Sequence, residues 1–159
     1  MAGAVVFSVI LFLACYASDN KYTADGPQAK QGLLVLDEAM LEEHPVVFLI
    51  QGWEIYRDML LAPEDFAEGA NNLTPDEFVF IGQYGGFEGS SPGRSPHGSA
   101  TYRLTIVLPS EPFAYTLELP EIYSAYTLYI NGVKAQQFGD PDPEHFRAET
   151  AITSGCAAG

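Results

Sequence analysis

Basic side chains are scarce in this chain: seven Lys and Arg stand against 21 Asp and Glu, a formal net charge of −14 over 159 residues. So few cations cannot neutralise a run of phosphates, which excludes nucleic acid and anionic lipid surfaces as principal partners. The acidic excess reads as a solvated surface. Cysteine is nearly absent as well. Of the two present, Cys15 lies in an opening apolar run and Cys156 in a tail of small residues, so no disulfide framework is expected. Cys-x-x-Cys, His-Glu-x-x-His and Gly-x-Ser-x-Gly do not occur, which removes the common thiol-redox, zinc-hydrolase and serine-hydrolase signatures. The glycines of residues 83–98 lead into neither Lys-Ser/Thr nor a helical pattern, so they form no phosphate cradle. No catalytic residue, metal ion or cofactor is assigned from the sequence.

What is present describes a packed protein. The hydrophobic content is 47%, with 13% aromatics, and the length suits one domain with a proper core. The most informative stretch is residues 100–138. In residues 101–108, Tyr102, Leu104, Ile106 and Leu108 alternate with Thr101, Arg103 and Thr105, the period of a strand with one face buried. Residues 113–119, bounded by Pro112 and Pro120, place Tyr115, Leu117 and Leu119 in phase. Residues 124–130 place Tyr126, Leu128 and Ile130 on one face, and Asn131-Gly132 then precedes a second run to Phe138. Asn-Gly accepts positive φ at both central turn positions, so a tight hairpin is expected there. Four antiparallel strands are predicted within this stretch, with Tyr102, Leu104, Leu128 and Ile130 buried.

These residues also carry a resemblance. The series Gly98-Ser-Ala-Thr-Tyr-Arg-Leu104, Leu117-Glu-Leu-Pro120 and Ser124-Ala-Tyr-Thr-Leu-Tyr-Ile-Asn-Gly132, ending in Gly139, resembles the extracytoplasmic amino-terminal domain of bacterial seven-transmembrane receptors with diverse intracellular signalling modules. Upstream, Gln51-Gly-Trp-Glu-Ile-Tyr-Arg57 followed by Leu60-Leu-Ala-Pro63 is similar to a Gly-Trp-Glu-Phe-Tyr-Trp segment of that family. The resemblance spans roughly residues 33–147 as spaced strand motifs. It implies an all-β fold, an antiparallel jelly-roll-type β-sandwich of the galactose-binding-like kind. That fold is shared more distantly with the sugar-binding domain of glycoside hydrolase family two.

The rest of the chain is read in order. Residues 1–17 open with an uncharged apolar run, 4–14, and turn polar at Ser18, Asp19 and Asn20. The run is shorter than the ~20 residues of a spanning helix, and it reads as a secretion signal. Three alternatives stay open: cleavage after Ala17, a lipoprotein leader with Cys15 as the modified residue, or an uncleaved anchor. No Lys or Arg precedes the run, which departs from both leader patterns. Residues 18–31 are an exposed lead-in containing Gly26-Pro27. Strands are expected at 32–37, 46–50, 52–56 and 78–81, the second of them continuously apolar and so covered on both faces. One helical turn is expected at 38–44, ended by Pro45, and another around Pro63 to Phe66. Trp53 and Ile55 share a face, and Trp53 is read as core. The sandwich domain is placed at 32–147, and residues 148–159 are an irregular tail without strand pattern.

Candidate functional residues lie on the irregular segment 83–98, rich in Gly, Ser and Pro, because loops on a rigid scaffold carry binding groups. They are Tyr84, Phe87, Arg94 and His97. The acidic run Asp140, Asp142, Glu144 has oxygen ligands suited to calcium, but its two prolines favour a plain acidic loop. Glu54 and Glu118 do not stand out as paired glycosidase carboxylates from the other acids. The resemblance implies a non-catalytic module that binds a small molecule or glycan outside the cytoplasm, periplasmic or extracellular. A seven-helix membrane bundle and cytoplasmic signalling domains would follow it in a longer protein. The sugar-binding domain of a secreted glycoside hydrolase is the other reading.

Overall fold

A computed structural model of the chain describes residues 2–18, 25–67, 73–81, 97–110, 114–119, 122, 124–145 and 156–158. These residues form mostly short strands with few helices, the all-β composition that the alternation implies. The elements are α1 (Ala2–Ser18), β1 (Leu33–Val35), α2 (Glu38–Glu43), β2 (Trp53–Arg57), a 3-10 turn (Pro63–Phe66), β3 (Glu77–Val79), β4 (Ala100–Arg103), β5 (Thr105–Val107), β6 (Thr116–Glu118), β7 (Tyr126–Ile130), β8 (Val133–Phe138) and β9 (Cys156–Ala158). The chain divides into two compact units, one of Met1–Glu54, Phe78–Gly86 and Arg103–Pro109, the other of Ile55–Glu77, Phe87–Tyr102 and Ser110–Gly159. The sheets are small: β1 with β5, β3–β2–β4, β6 with β9, and β7 with β8.

In the first unit, β1 and β5 run parallel, with Leu33 opposite Thr105, Leu34 opposite Ile106 and Val35 opposite Val107. The strand alternation then sorts the side chains. Leu34 and Leu36 turn inward and form the core with Ala29, against which Leu41, Val47, Leu49 and Leu104 pack. Burying one such leucine contributes roughly 1.5–3 kcal/mol. Leu33, Val35 and Val107 stay exposed. Asp37 starts α2 by accepting a hydrogen bond from the Met40 amide at 2.8 Å, a side-chain cap for an otherwise unpaired donor.

In the second unit, the hairpin forms as the sequence predicts. Asn131 and Gly132 adopt φ of +50° and +80°, and β7 pairs antiparallel with β8, Ile130 opposite Val133. A bulge follows: Tyr129 faces Lys134 but Leu128 faces Gln136, so Ala135 has no opposite number. One extra residue reverses the alternation of β8 on either side of it. Lys134 and Gln137, three apart in sequence, consequently share a face, and the Lys134 amine donates to the Gln137 amide oxygen. On the other face, the rings of Tyr126 and Phe138 stack with centroids 6.2 Å apart, a cross-strand aromatic pair.

Several expectations are corrected. Residues 101–108 are not one strand. The chain breaks at Leu104, and the half beyond it pairs parallel with β1 rather than antiparallel with a neighbour in sequence. Tyr102 is 37% exposed and Ile106 and Leu108 similarly open, while Leu104, Leu128 and Ile130 are half-buried. The small sheets offer each of these faces only partial cover. Residues 46–50 form no strand. Their apolar run is split by orientation, with Val47 and Leu49 packed on the core and Val46 and Phe48 exposed. At the far end, Cys156–Ala158 supplies β9, antiparallel to β6. Ladder hydrogen bonds need only backbone groups, so small residues without alternation suffice for it.

Ile55 is fully buried, whereas Val133 is 69% exposed at the hairpin turn. Ile55→Ala is expected to lower unfolding free energy by roughly 2–5 kcal/mol, and Val133→Ala to change it by no more than about 0.5 kcal/mol. Urea denaturation monitored by far-UV circular dichroism reads both. Equal effects of the two substitutions would contradict the burial described.

Candidate functional site

Of the four loop residues singled out by the sequence, Tyr84, Phe87 and Arg94 lie outside the described residues. His97 is exposed on the segment that leads into β4. Among the described residues the polar side chains gather at three other places, each held by a distinct local cause.

The first is on β2 in the first unit. Glu54 and Arg103 pair at 3.3 Å, with the carboxylate largely covered and the guanidinium nearly half open. Glu54 lies over Gly32, where a β-carbon would stand 2.4 Å from its Oε1. Gly32 has φ of +79°, and its backbone donates to the Gly52 carbonyl and accepts from the Thr105 amide, both at 2.8 Å. The φ favours glycine, and a side chain there would also displace the Glu54 carboxylate. The carboxylate is thus clamped between a cation and a turn. Trp53, beside it in sequence, donates its indole N–H to the Leu49 carbonyl at 2.9 Å, which ties the ring to the chain and leaves it half-buried.

The second is at the end of β2 in the second unit. The Arg57 guanidinium is buried and pairs with the Glu77 carboxylate, while the Arg57 amide donates to Asp76 Oδ2 at 2.7 Å. Tyr102 stands near the same cation. Desolvation of the phenolate raises its pKa above the usual 10.0, and the Arg57 charge pulls the other way. Thr101 makes two hydrogen bonds to the backbone: its Oγ1 accepts from the Leu61 amide at 2.8 Å and donates to the Met59 carbonyl at 2.9 Å. This arrangement fixes chain segments, because its charged groups are turned on one another.

The third is the acidic loop after β8. Asp140 Oδ1 accepts from the Asp142 amide at 3.1 Å, Asp142 Oδ1 accepts from the Glu144 amide at 3.0 Å, and Asp142 Oδ2 stands 3.1 Å from His145 Nδ1. Short acidic side chains that bond to amides two residues on are the ordinary chemistry of such turns. Among the described residues no three His, Cys, Asp or Glu side chains are grouped so as to hold a metal ion. Glu118, in the same unit, is exposed on β6.

The chain matches no protein-family model, no curated protein and no solved structure.

The pairs Glu54–Arg103 and Arg57–Glu77 escape sequence reasoning because their partners stand 49 and 20 residues apart. The Asp142–His145 pair is local, three residues apart on a turn with two prolines, and an Asp followed three residues on by His is its sequence signal.

Asp142 and His145 make a titrating pair. The His145 pKa is raised above 6.5, first by the hydrogen bond from its ring to Asp142 and then by the Asp142 charge. The Asp142 pKa is lowered below 3.8, first by the Glu144 amide and then by His145. The contribution from His145 is complete below 6.5 and is lost as pH rises through its higher folded value. The contribution from Asp142 is complete above 3.8 and is lost as pH falls through its lower folded value. The contact is thus fullest between those two ordinary values. An NMR titration of the His145 ring protons is expected to give a midpoint above 6.5 that moves back toward 6.5 in Asp142→Asn. An unchanged midpoint in that variant would dissolve the pair.

Proposed function

We propose that this chain is an extracytoplasmic, ligand-binding sensory module, a galactose-binding-like β-sandwich of jelly-roll type that takes a carbohydrate and performs no catalysis. The observation that carries the reading is the motif series from Gly98 to Gly139, which ends in a hairpin with Asn131 and Gly132 at positive φ. The resemblance of that series to the outer domain of bacterial seven-transmembrane receptors sets the context: a membrane bundle and a signalling output in the longer protein. The all-β composition supports the fold. The uncharged apolar α1 supports delivery across a membrane.

The ligand is a neutral or cationic glycan. A net charge of −14 repels polyanionic sugars, most at low salt where screening is least. Aromatic faces bind the apolar C–H surface of a pyranose, and the sequence of residues 83–98 contains two such rings, Tyr84 and Phe87, together with the polar Arg94 and His97. Affinity is weak, because an open surface buries little of a sugar and its hydrogen bonds replace those of water.

A glycan array probed with the full chain tests this directly. Binding to neutral or cationic glycans is expected, with Tyr84→Ala, Arg94→Ala and His97→Ala each reducing it severalfold at unchanged melting temperature and the bound glycan recovered intact. Retention of no glycan above background, or hydrolysis of the bound one, would overturn the reading. Export has its own readout. Expressed with its native leader in a Gram-negative host, the protein is expected outside the cytoplasm with its amino terminus near Ser18, and mass spectrometry of a soluble cytosolic product with Met1 intact would reject that.

A further inference from the structure

The β7–β8 hairpin has two unlike faces. Tyr126, Leu128 and Ile130 of β7, with Gln136 and Phe138 of β8, share one face and are all half-buried. The opposite face carries Thr127 and Tyr129 with Gln137 and Lys134, and of these only Thr127 is half-buried. Tyr129 is 40% exposed. A ring left that open contributes little to a core, and its apolar surface keeps the hydration that a stacked partner would displace.

Beside the ring stands a polar pair whose orientation is fixed by chemistry. Lys134, opposite Tyr129 in register, donates its amine to Gln137 Oε1, and Gln137 Nε2 donates to the Gly139 carbonyl at 3.0 Å. An ammonium only donates and a carbonyl only accepts, so the Gln137 amide takes one orientation alone. Held at both ends, it is ordered before any ligand arrives, which lowers the cost of ordering it on binding. Beyond these bonds the pair keeps further N–H donors and a further lone pair on Oε1. The bulge assembles the face. Without Ala135 as an extra residue, alternation would turn Gln137 away from Lys134 and Tyr129.

The ligand that fits has an apolar surface for the ring and, at its rim, adjacent groups that both donate and accept. A pyranose has that form, with C–H groups on its face and vicinal hydroxyls at its edge. A carboxylate would engage Lys134 but could not donate to Gln137 Oε1, and it would approach a chain of net charge −14. Among the described residues Lys134 forms no ion pair, so its charge is available to strengthen a bond to a hydroxyl oxygen.

We propose that this exposed face of the β7–β8 hairpin binds a neutral pyranose, with the C–H surface of the sugar on the Tyr129 ring and adjacent hydroxyls shared between the Lys134 ammonium and the Gln137 amide. The inference rests on the reading of the chain as a glycan-binding module and gives that module a contact outside residues 83–98.

The test is an NMR titration of the full chain, with the Tyr129 ring and Gln137 side-chain amide signals assigned. The probes are methyl β-glucopyranoside, methyl β-galactopyranoside and, as the anionic comparison, methyl β-glucuronide. At least one neutral sugar is expected to shift both signals. Tyr129→Phe, which keeps the ring, is expected to bind as the parent does, and Tyr129→Ala at least about fivefold more weakly. Lys134→Met is expected to weaken binding about tenfold. Both positions are exposed, so melting temperatures stay unchanged. The proposal is overturned if neither neutral sugar shifts the hairpin signals, if Tyr129→Ala binds as the parent does, if Tyr129→Phe loses as much as Tyr129→Ala, or if the glucuronide binds more tightly than both neutral sugars. Shifts confined to residues 83–98, or array binding that Tyr129→Ala leaves intact, overturn it while the glycan-binding reading stands. An array that retains no glycan removes both.

Discussion

A buried guanidinium imposes the strictest condition in the second unit. Arg57 is only 8% exposed, and a charge taken that far from water costs several kcal/mol unless it is paired and hydrogen-bonded. The adjoining pair of acids meets the condition, Glu77 through its carboxylate on the guanidinium and Asp76 through its carboxylate on the Arg57 amide. Two consecutive acids thus hold one residue at both its ends. The Ile55 carbonyl accepts from the Asp76 amide at 2.9 Å, so the same segments are joined through main chain and side chain together. Register between them is fixed, because a slip by one residue would put the wrong face of the strand toward the cation.

The elements around this point are short, and their shortness has an energetic meaning. Ordered backbone costs roughly 1–2 kcal/mol per residue, and three-residue strands such as β1, β5 and β6 recover it only where a side chain such as Leu34 is buried. Local devices supply the rest: the Asp37 cap of α2, the Asp65 carboxylate accepting from the Ala62 amide at 2.8 Å at the head of the 3-10 turn, and the Thr101 hydroxyl that binds two backbone groups. Each is worth about 1 kcal/mol, which matters in a protein whose total stability is a small difference of large terms.

What the sequence made legible follows the same division between local and distant causes. Asn131-Gly132 predicts its hairpin because the turn is decided by two residues, and the helical turn expected at 38–44 forms over Glu38–Glu43, although Asp37, read from the sequence as the end of a strand, is the residue that caps it. Alternation in residues 101–108 predicts one strand with Tyr102, Leu104, Ile106 and Leu108 on a covered face, but the strand breaks at Leu104, and alternation cannot say how much cover a face receives. Tyr102 and Leu108 stay partly in water for that reason. The parallel partnership of β1 and β5 has no signature in either strand, since parallel pairing depends on what lies between them. Of the candidate site, the local acidic turn was readable, whereas the Glu54–Arg103 and Arg57–Glu77 pairs are made by the fold.

Ala135 gives the hairpin a property that belongs to counting instead of chemistry. From the turn to Phe138, β8 is one residue longer than the stretch of β7 that it accompanies. Side chains beyond the bulge therefore answer to an odd tally and those before it to an even one, and Phe138 meets Tyr126 only because of the difference. Evolution along this segment is thereby constrained in length more tightly than in identity. Exchanging Ala135 for another residue alters one exposed side chain, whereas losing or gaining a residue inverts the inside and outside of everything that follows. Indels here are tolerable in compensating pairs, as a frameshift is in a gene, and the hairpin preserves a parity that no single side chain records.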